Sequence, residues 1–460
     1  MSKVFSQVEW DRARKFFSSG QTRKLAFRKA AIERLYKAIQ AREDEICGAL
    51  MEDLGKSKVE SFLSEITVVY SEIRHTLKNM DVWVRKERQP TPYYAQPANS
   101  YIVSEPKGVV LIMAPWNYPF QLLIAPLVSA IAAGNVVIVK AAHESAHTAR
   151  VLQDIIGAAF DEEQVYMVQG KGAEVIPPLL DQFPFDHIFF TGSSAVGRQI
   201  MKQASKHLSP VTLELGGKSP GIVDQSANLK VAARRLVNGK FINTGQTCIA
   251  PDHIWVHESV KDEFIHLIRK VLEEFYGPDP KESNDYGRII HAERLESLIA
   301  LLDNQKIILG GEYDREELYM APTLVDSPRM EDPIMNEEIF GPIWPILTWN
   351  SEEDLLQRIN RNPDPLACYI FTERNEFSQY IQSRLSFGGG CINNTLMHLV
   401  NPDLPFGGIG NSGMGAYHGK RGFDTFSHQK SMLDSSTWVD PSVRYPPYNS
   451  DWLPWIKKVL

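Results

Sequence analysis

Val109-Val110-Leu111-Ile112-Met113 and, after a helical stretch, Val136-Val137-Ile138-Val139 are apolar at every position instead of every second one. A strand with one wet face alternates, so an unbroken apolar run predicts a strand covered on both faces. Outward from this pair, Val165 to Val168 and His187 to Phe190 repeat the run, and helical spacing fills about 120–133, 145–159 and 172–181. Apolar strands separated by helices form βαβ units and a parallel sheet between helical layers. In such sheets ligands bind beyond the carboxyl ends of the strands. Trp116-Asn117, Lys140, Gly170 and Gly192-Ser193 fall at those ends, which predicts a site there before any motif is considered.

Residues 8 to 80 read as helices: Leu25, Ala26, Ile32, Leu35, Ile39, Ile46 and Leu50 recur at three-to-four spacing, and the Lys, Arg and Glu between them read as a solvated face. From Trp83 to Ser100, Pro90, Pro92 and Pro97 favour an extended arm or inter-domain crossing. Ile254 and Val256, then a helical 259–276, begin a second α/β unit that continues through 351–400. The expected class is therefore α/β, with two doubly wound parallel-sheet domains and a small β arm.

At 460 residues, 43% hydrophobic and 23% charged, the chain has room for roughly two or three domains with sizeable cores. A formal charge of −7 gives no electrostatic case for nucleic acid or an anionic membrane surface. The four cysteines have neither CxxC spacing nor the density of a disulfide scaffold, which fits a reducing compartment. Met1 to Ser6 lacks an apolar leader, and no apolar run reaches about 18 residues. The Pro- and Tyr-rich tail after Pro441 ends in Trp452 to Leu460, too short to span a bilayer. The expectation is a soluble cytoplasmic protein acting on small molecules.

Chemistry concentrates in a few places. Cys248 closes the turn Phe241-Ile242-Asn243-Thr244-Gly245-Gln246-Thr247-Cys248, where backbone N–H groups favour a reactive thiolate, whereas Cys47, Cys368 and Cys391 suit core positions. Glu214 ends the strand-like Pro210-Val211-Thr212-Leu213-Glu214 before two glycines, either as a functional carboxylate or as an ion-pair partner of Lys218. Gly192-Ser193-Ser194-Ala195-Val196-Gly197 follows a strand and opens a helix, so Gly192, Ser193 and Gly197 are candidates to hold a pyrophosphate; a plain turn is the alternative. Gly408-Ile409-Gly410-Asn411-Ser412-Gly413 fits the glycine fingerprint better but lacks a preceding strand, and is rejected. His143-Glu144-Ser145-Ala146-His147 matches a zinc-peptidase pattern, but its place directly after a strand favours exposed helix-start residues and no metal.

Trp116-Asn117-Tyr118-Pro119, Phe190-Thr191-Gly192-Ser193, Glu214-Leu215-Gly216-Gly217-Lys218, Gly245-Gln246-Thr247-Cys248 and Glu338-Ile339-Phe340-Gly341-Pro342 resemble, in order and spacing, the motifs of the aldehyde dehydrogenase superfamily. Pro405-Phe406-Gly407-Gly408 and Ala416-Tyr417-His418-Gly419-Lys420 look most like its class 3 branch, which includes fatty-aldehyde enzymes. The resemblance implies Cys248 as nucleophile, Glu214 as water-activating base and Asn117 as oxyanion donor. It implies NAD or NADP as cofactor, with Trp116 and Ser193 at the nicotinamide side and pyrophosphate, Glu338 and Phe340 at the nicotinamide ribose and ring, and Lys140 at the adenosine ribose. His143 stands where the branch usually has Glu, a carboxylate that would repel a 2′-phosphate, so NADP is expected to be accepted. The implied organisation is a cofactor domain at 1–82 and 102–212, a catalytic domain at 213–400, and a bridging arm and tail at 83–101 and 401–460 that join two copies into a homodimer. The substrate would be an aromatic or a medium- to long-chain aliphatic aldehyde. Acyl transfer to coenzyme A is the alternative within this chemistry; a zinc peptidase on His143 and His147 is the alternative outside it.

Overall fold

The computed structural model of the chain describes residues 5–459; Met1 to Val4, read above as part of a stretch with no apolar leader, and Leu460 lie outside the described residues. One sheet has six strands in the order Gly413–Met414, Val211–Glu214, His187–Thr191, Val109–Met113, Val136–Lys140, Val165–Met167. All pairs are parallel except the short Gly413–Met414 edge. The rejected glycine fingerprint forms the 3-10 turn Gly410–Ser412, and its last glycine opens that edge strand.

The unbroken apolar runs are explained by two separate cores. Val110, Ile112, Val137 and Val139 enter one cluster with Ile32, Leu35 and Ile39 of the N-terminal helices, while Val109, Leu111, Met113, Val136 and Ile138 enter another with Trp10, Leu180 and Phe183. Burying each such side chain is worth about 1.5–3 kcal/mol, so both faces of these strands stabilise the fold. The helices Gln121–Ala133, Ala146–Ala159 and Gly172–Gln182 follow the expected spans, and the first is buried at every residue. Gly134, at φ 97°, ends it in the left-handed conformation.

The second sheet has seven strands: Ile307–Leu309, Thr323–Asp326, Ile343–Trp349, His253–His257, Pro220–Val223, Ala367–Phe371, Gly389–Ile392. Only Ile307–Leu309 is antiparallel. A third sheet of three antiparallel strands joins Glu87–Gln89, Ala98–Pro106 and Ser427–Ser435. The extended stretch expected at 83–101 contains the strand Glu87–Gln89 and the start of Ala98–Pro106; the helix Thr67–Trp83 runs to its first residue, and the second strand continues beyond it to Pro106. Within 401–460, the helix Gly419–Thr425 leads directly into the strand Ser427–Ser435.

One expectation fails inside the N-terminal helices. Arg28 is not on a solvated face; it is buried and donates to the carbonyl oxygens of Thr22 (2.7 Å), Ala132 (3.0 Å) and Arg23 (3.2 Å). Three carbonyls offset the desolvation of its charge, a trade that residue spacing does not reveal.

Candidate active site

The carboxyl ends of the first sheet meet the segments that lead into the amino ends of the second. Between them lies a cavity of about 460 Å³ lined by Trp116, Asn117, Gly192, Ser193 and Glu214 from the first sheet's rim, and by Cys248, Glu338 and Phe340 from segments preceding His253–His257 and Ile343–Trp349. A second cavity, of about 480 Å³, opens on the other side of Cys248 and is lined largely by apolar groups, among them Val68, Leu122, Phe275, Leu399 and Phe406. The sulfur sits where the two meet.

The turn that presents Cys248 is held in a costly conformation. Asn243 and Thr244 both have φ 53° and Gly245 has φ 74°, three consecutive left-handed residues. A non-glycine residue there costs about 1–2 kcal/mol. Buried polar groups offset that cost. Asn243 N–H donates to Glu60 Oε1 (2.9 Å), Asn243 Nδ2 donates to the carbonyls of Asn117 (2.8 Å) and Gln246 (3.1 Å), and Gln246 Nε2 donates to the Arg288 carbonyl (2.9 Å). Gly245 is required twice over, by its φ and because a Cβ would fall on the Gly341 carbonyl.

Asn117 is buried, and its Nδ2 donates to the Gln246 carbonyl at 3.0 Å, which aims the amide toward the thiol turn. Its own carbonyl accepts from Lys56 Nζ (3.0 Å), and Lys56 pairs with Glu65 (2.7 Å) at zero exposure for both. Glu65 Oε2 in turn accepts from the amides of Phe120 (2.9 Å) and Gln121 (3.1 Å). Lys56 and Glu65 were not singled out in the sequence, where they are ordinary charges in a helical region.

Glu214 is buried, and among the described residues neither of its carboxylate oxygens accepts a hydrogen bond. The alternative partner is taken: Lys218 donates to Asp252 and to the Glu337 carbonyl (2.9 Å). Burial alone holds the Glu214 carboxyl well above the usual carboxylate range. Cys248 is pushed up to about 12, first by burial, then by Glu338 and Glu214, against the pull of the Cys248 and Ile249 amides. The thiol is thus neutral at rest, contrary to the expected turn-stabilised thiolate. Glu338, pushed up to about 8 by burial and by Asp252, lies against Gly216, where a Cβ would strike its carboxylate.

The features expected to hold a dinucleotide are present in part. Ser193 caps the helix Ser194–Ala204, its hydroxyl accepting from Val196 N–H, and the first amides of that helix have no intrahelical partner. Trp116 meets Phe340 edge-on at 5.4 Å. The Thr191 hydroxyl, which has no partner among the described residues, and the Arg294 side chain, which donates to the Ile339 and Phe340 carbonyls, line the same cavity and were missed; Thr191 stood inside a quoted motif, whereas Arg294 carried no signal. Gly197 corrects an expectation. It does not line the cavity, and a Cβ there would come 2.7 Å from Leu215 Cδ2, so it brings helix and strand together. Lys140 and His143 line a separate cavity of about 350 Å³ further along the same rim.

The zinc-peptidase pattern comes apart. His147 Nδ1 lies 2.9 Å from Asp53, which also accepts the amides of His147 and Thr148 at the start of the helix Ala146–Ala159, while His143 Nδ1 lies 3.0 Å from Glu144. Cys47 and Cys368 are buried as expected; Cys391 is only partly so, with its sulfur 3.5 Å from His398 Nδ1.

Comparison with known proteins places this arrangement. A family model described as the aldehyde dehydrogenase family matches residues 8–432. The chain belongs to the aldehyde dehydrogenase family. It is 48% identical to a 4,4'-diaponeurosporen-aldehyde dehydrogenase of Staphylococcus aureus over 97% of both chains. A dimeric NADP-preferring aldehyde dehydrogenase of Rattus norvegicus is 44% identical over 97% of this chain and 98% of its own. A family 3 member A2 enzyme of Macaca fascicularis is 42% identical over 98% and 93%, which bears out the class 3 resemblance. The substrate-bound state of Staphylococcus aureus AldH superposes with a TM-score of 0.95 at 46% identity over 98% of both chains. An indole-3-acetaldehyde dehydrogenase in complex with NAD+ superposes with a TM-score of 0.85 at 27% identity, over 94% of this chain and 88% of that one. This aldehyde dehydrogenase thus has the two-sheet fold expected, and NAD or NADP is borne out at the level of its relatives.

Proposed function

We propose that this aldehyde dehydrogenase oxidises an apolar aldehyde to the carboxylic acid through a covalent bond to Cys248, with hydrolysis driven by Glu214. The observation that carries the reading is the partnerless, buried Glu214 carboxyl in one cavity with Cys248 and Asn117. Cys248 sulfur adds to the aldehyde carbon as its proton leaves, and the carbonyl oxygen becomes an oxyanion. Asn117 Nδ2 and the Cys248 amide donate to that oxyanion; the Asn117 main chain is fixed before substrate arrives by Lys56 and Asn243, and its amide by the Gln246 carbonyl. Trp116, Ser193, Glu338 and Phe340 would hold NAD or NADP, which would supply the hydride acceptor for this oxidation, so that the carbon held by Cys248 is left as a thioester. Glu214 then takes a proton from water, whose oxygen attacks the thioester, and the acid and the Cys248 thiol are released. A partnerless base at the sulfur favours hydrolysis over acyl transfer to coenzyme A.

The apolar cavity of about 480 Å³ supports an aromatic or medium- to long-chain substrate, and the relative named for a carotenoid aldehyde is in keeping with it. We further infer the division into cofactor domain, catalytic domain and arm given above, a homodimer formed through the arm, and a reducing cytoplasmic setting consistent with four free cysteines. The test is turnover of a chain-length series of aldehydes with either dinucleotide. Wild type is expected to reduce the cofactor, fastest with apolar aldehydes; Cys248→Ser is expected to lose about 10⁴-fold or more in kcat. Undiminished turnover in Cys248→Ser would contradict the mechanism.

A further inference from the structure

The apolar cavity that opens on Cys248 is not apolar at both ends. Near the sulfur its walls are buried, Leu122, Ile249, Phe406 and Tyr417 among them, whereas Arg234, Arg235 and Asn238 are exposed and mark its mouth. Among the described residues no Asp or Glu lines it. The three polar residues share one face of the helix Leu229–Phe241, and Ile242, which opens the thiol turn, continues that face into the cavity. At a helical rise of about 1.5 Å per residue, Arg235 stands about 10 Å along the axis from Ile242.

The two guanidinium groups differ in what they can still bind. Arg234 is paired with Glu274 at 2.6 Å and lies over the Phe275 ring at 5.0 Å. Arg235 has no carboxylate partner among the described residues. Its Nη1 donates to the Asn393 carbonyl, and its own carbonyl accepts from the Thr395 hydroxyl (2.7 Å), so it is fixed against the loop 393–400 that forms part of the cavity wall. Its Nε and Nη2 make no hydrogen bond among the described residues, and neither does the Asn238 side-chain amide.

The apolar walls select a hydrocarbon chain by buried area, and a fixed cation at the mouth adds a demand on the chain's far end. One free guanidinium edge matches the two oxygens of one carboxylate. A doubly charged phosphate would call on the second cation, which Glu274 already holds.

We propose that the preferred substrates are apolar aldehydes that carry a carboxylate at the far end of the chain, held by Arg235 with Asn238 beside it, so that oxidation yields a dicarboxylic acid. The proposal rests on the reading of this cavity as the substrate channel to Cys248, and it narrows the substrate class given there.

The test compares, at each chain length, kcat/KM for an ω-oxo carboxylic acid with kcat/KM for the aldehyde of equal length that ends in methyl. Damage to folding or to the chemical step cancels in this ratio. In wild type the ratio should rise with length, peak once the carboxylate reaches Arg235, and shrink as salt is raised. At the peak, Arg235→Gln is expected to lower it about 5-fold, through KM and not kcat, Arg235→Lys to recover part of the loss, and Arg235→Glu to lower it further. A ratio that is flat in chain length, or equal in wild type and Arg235→Gln, would overturn the proposal. If methyl-ended aldehydes reduce the cofactor while the ratio stays flat, the anionic terminus alone falls; if no aldehyde reduces it, the proposed function falls as well.

Discussion

Cys248 is held in its neutral form by the surroundings that also confine its substrate. Burial and two carboxyls raise the thiol to about 12, and only two amides oppose them, so the sulfur must lose its proton as it attacks. Its rate of alkylation by iodoacetamide should climb with pH across the alkaline range without levelling at the ordinary thiol value near 8.5; a plateau there would show that the resting thiol is unperturbed. The raised carboxyls make a separate prediction about stability. Glu338 binds its proton more tightly folded than unfolded, so the stability it contributes is full below the usual carboxylate range and is lost as pH rises toward about 8. Glu338→Gln should flatten the fall in melting temperature over that window. A slope unchanged from wild type would assign the pH dependence to other groups.

Two elements carry the site, the parallel strands that end at it and the left-handed turn that presents the sulfur. Ile112→Ala, in the centre of the first sheet, should cost about 2–5 kcal/mol in urea unfolding, because nothing beside a fully buried strand can close the gap. Gly245→Ala should leave most of the fold intact and lower kcat steeply, since its φ of 74° and the Gly341 carbonyl both exclude a Cβ; activity near wild type would mean that the turn can relax. The strands were legible because both faces are buried, which writes the fold into consecutive residues. Cys248, Glu214 and Asn117 were legible because each breaks a local pattern. Arg28, Lys56 and Glu65 were not, because a buried charge looks like an exposed one until its partners arrive from distant segments, as Lys56 reaches Asn117. Gly197 was misread for a related reason: a glycine that lets a helix approach a strand and one that lets a ligand approach have the same signature.

At the scale of the molecule, two sheets meet rim to rim, and the arm stands apart from both. Its strand Ser427–Ser435 pairs along its whole length with Ala98–Pro106, among the described residues on one side only, and Met432 and Leu433 are exposed on it. An unpaired edge bearing apolar side chains invites a second copy. Sedimentation velocity should therefore show a dimer, shifted toward monomer by Leu433→Glu; a monomeric wild type would remove the arm's proposed role. The central claim is the joining of Cys248 and Glu214 across the two rims. It is tested most directly by mixing Glu214→Gln with aldehyde and dinucleotide and recording the intact mass, then the modified peptide. The mechanism predicts one acyl group, retained on Cys248 because the water-activating carboxylate is gone. An unmodified Cys248 after cofactor reduction, or an acyl group on another residue, would contradict it.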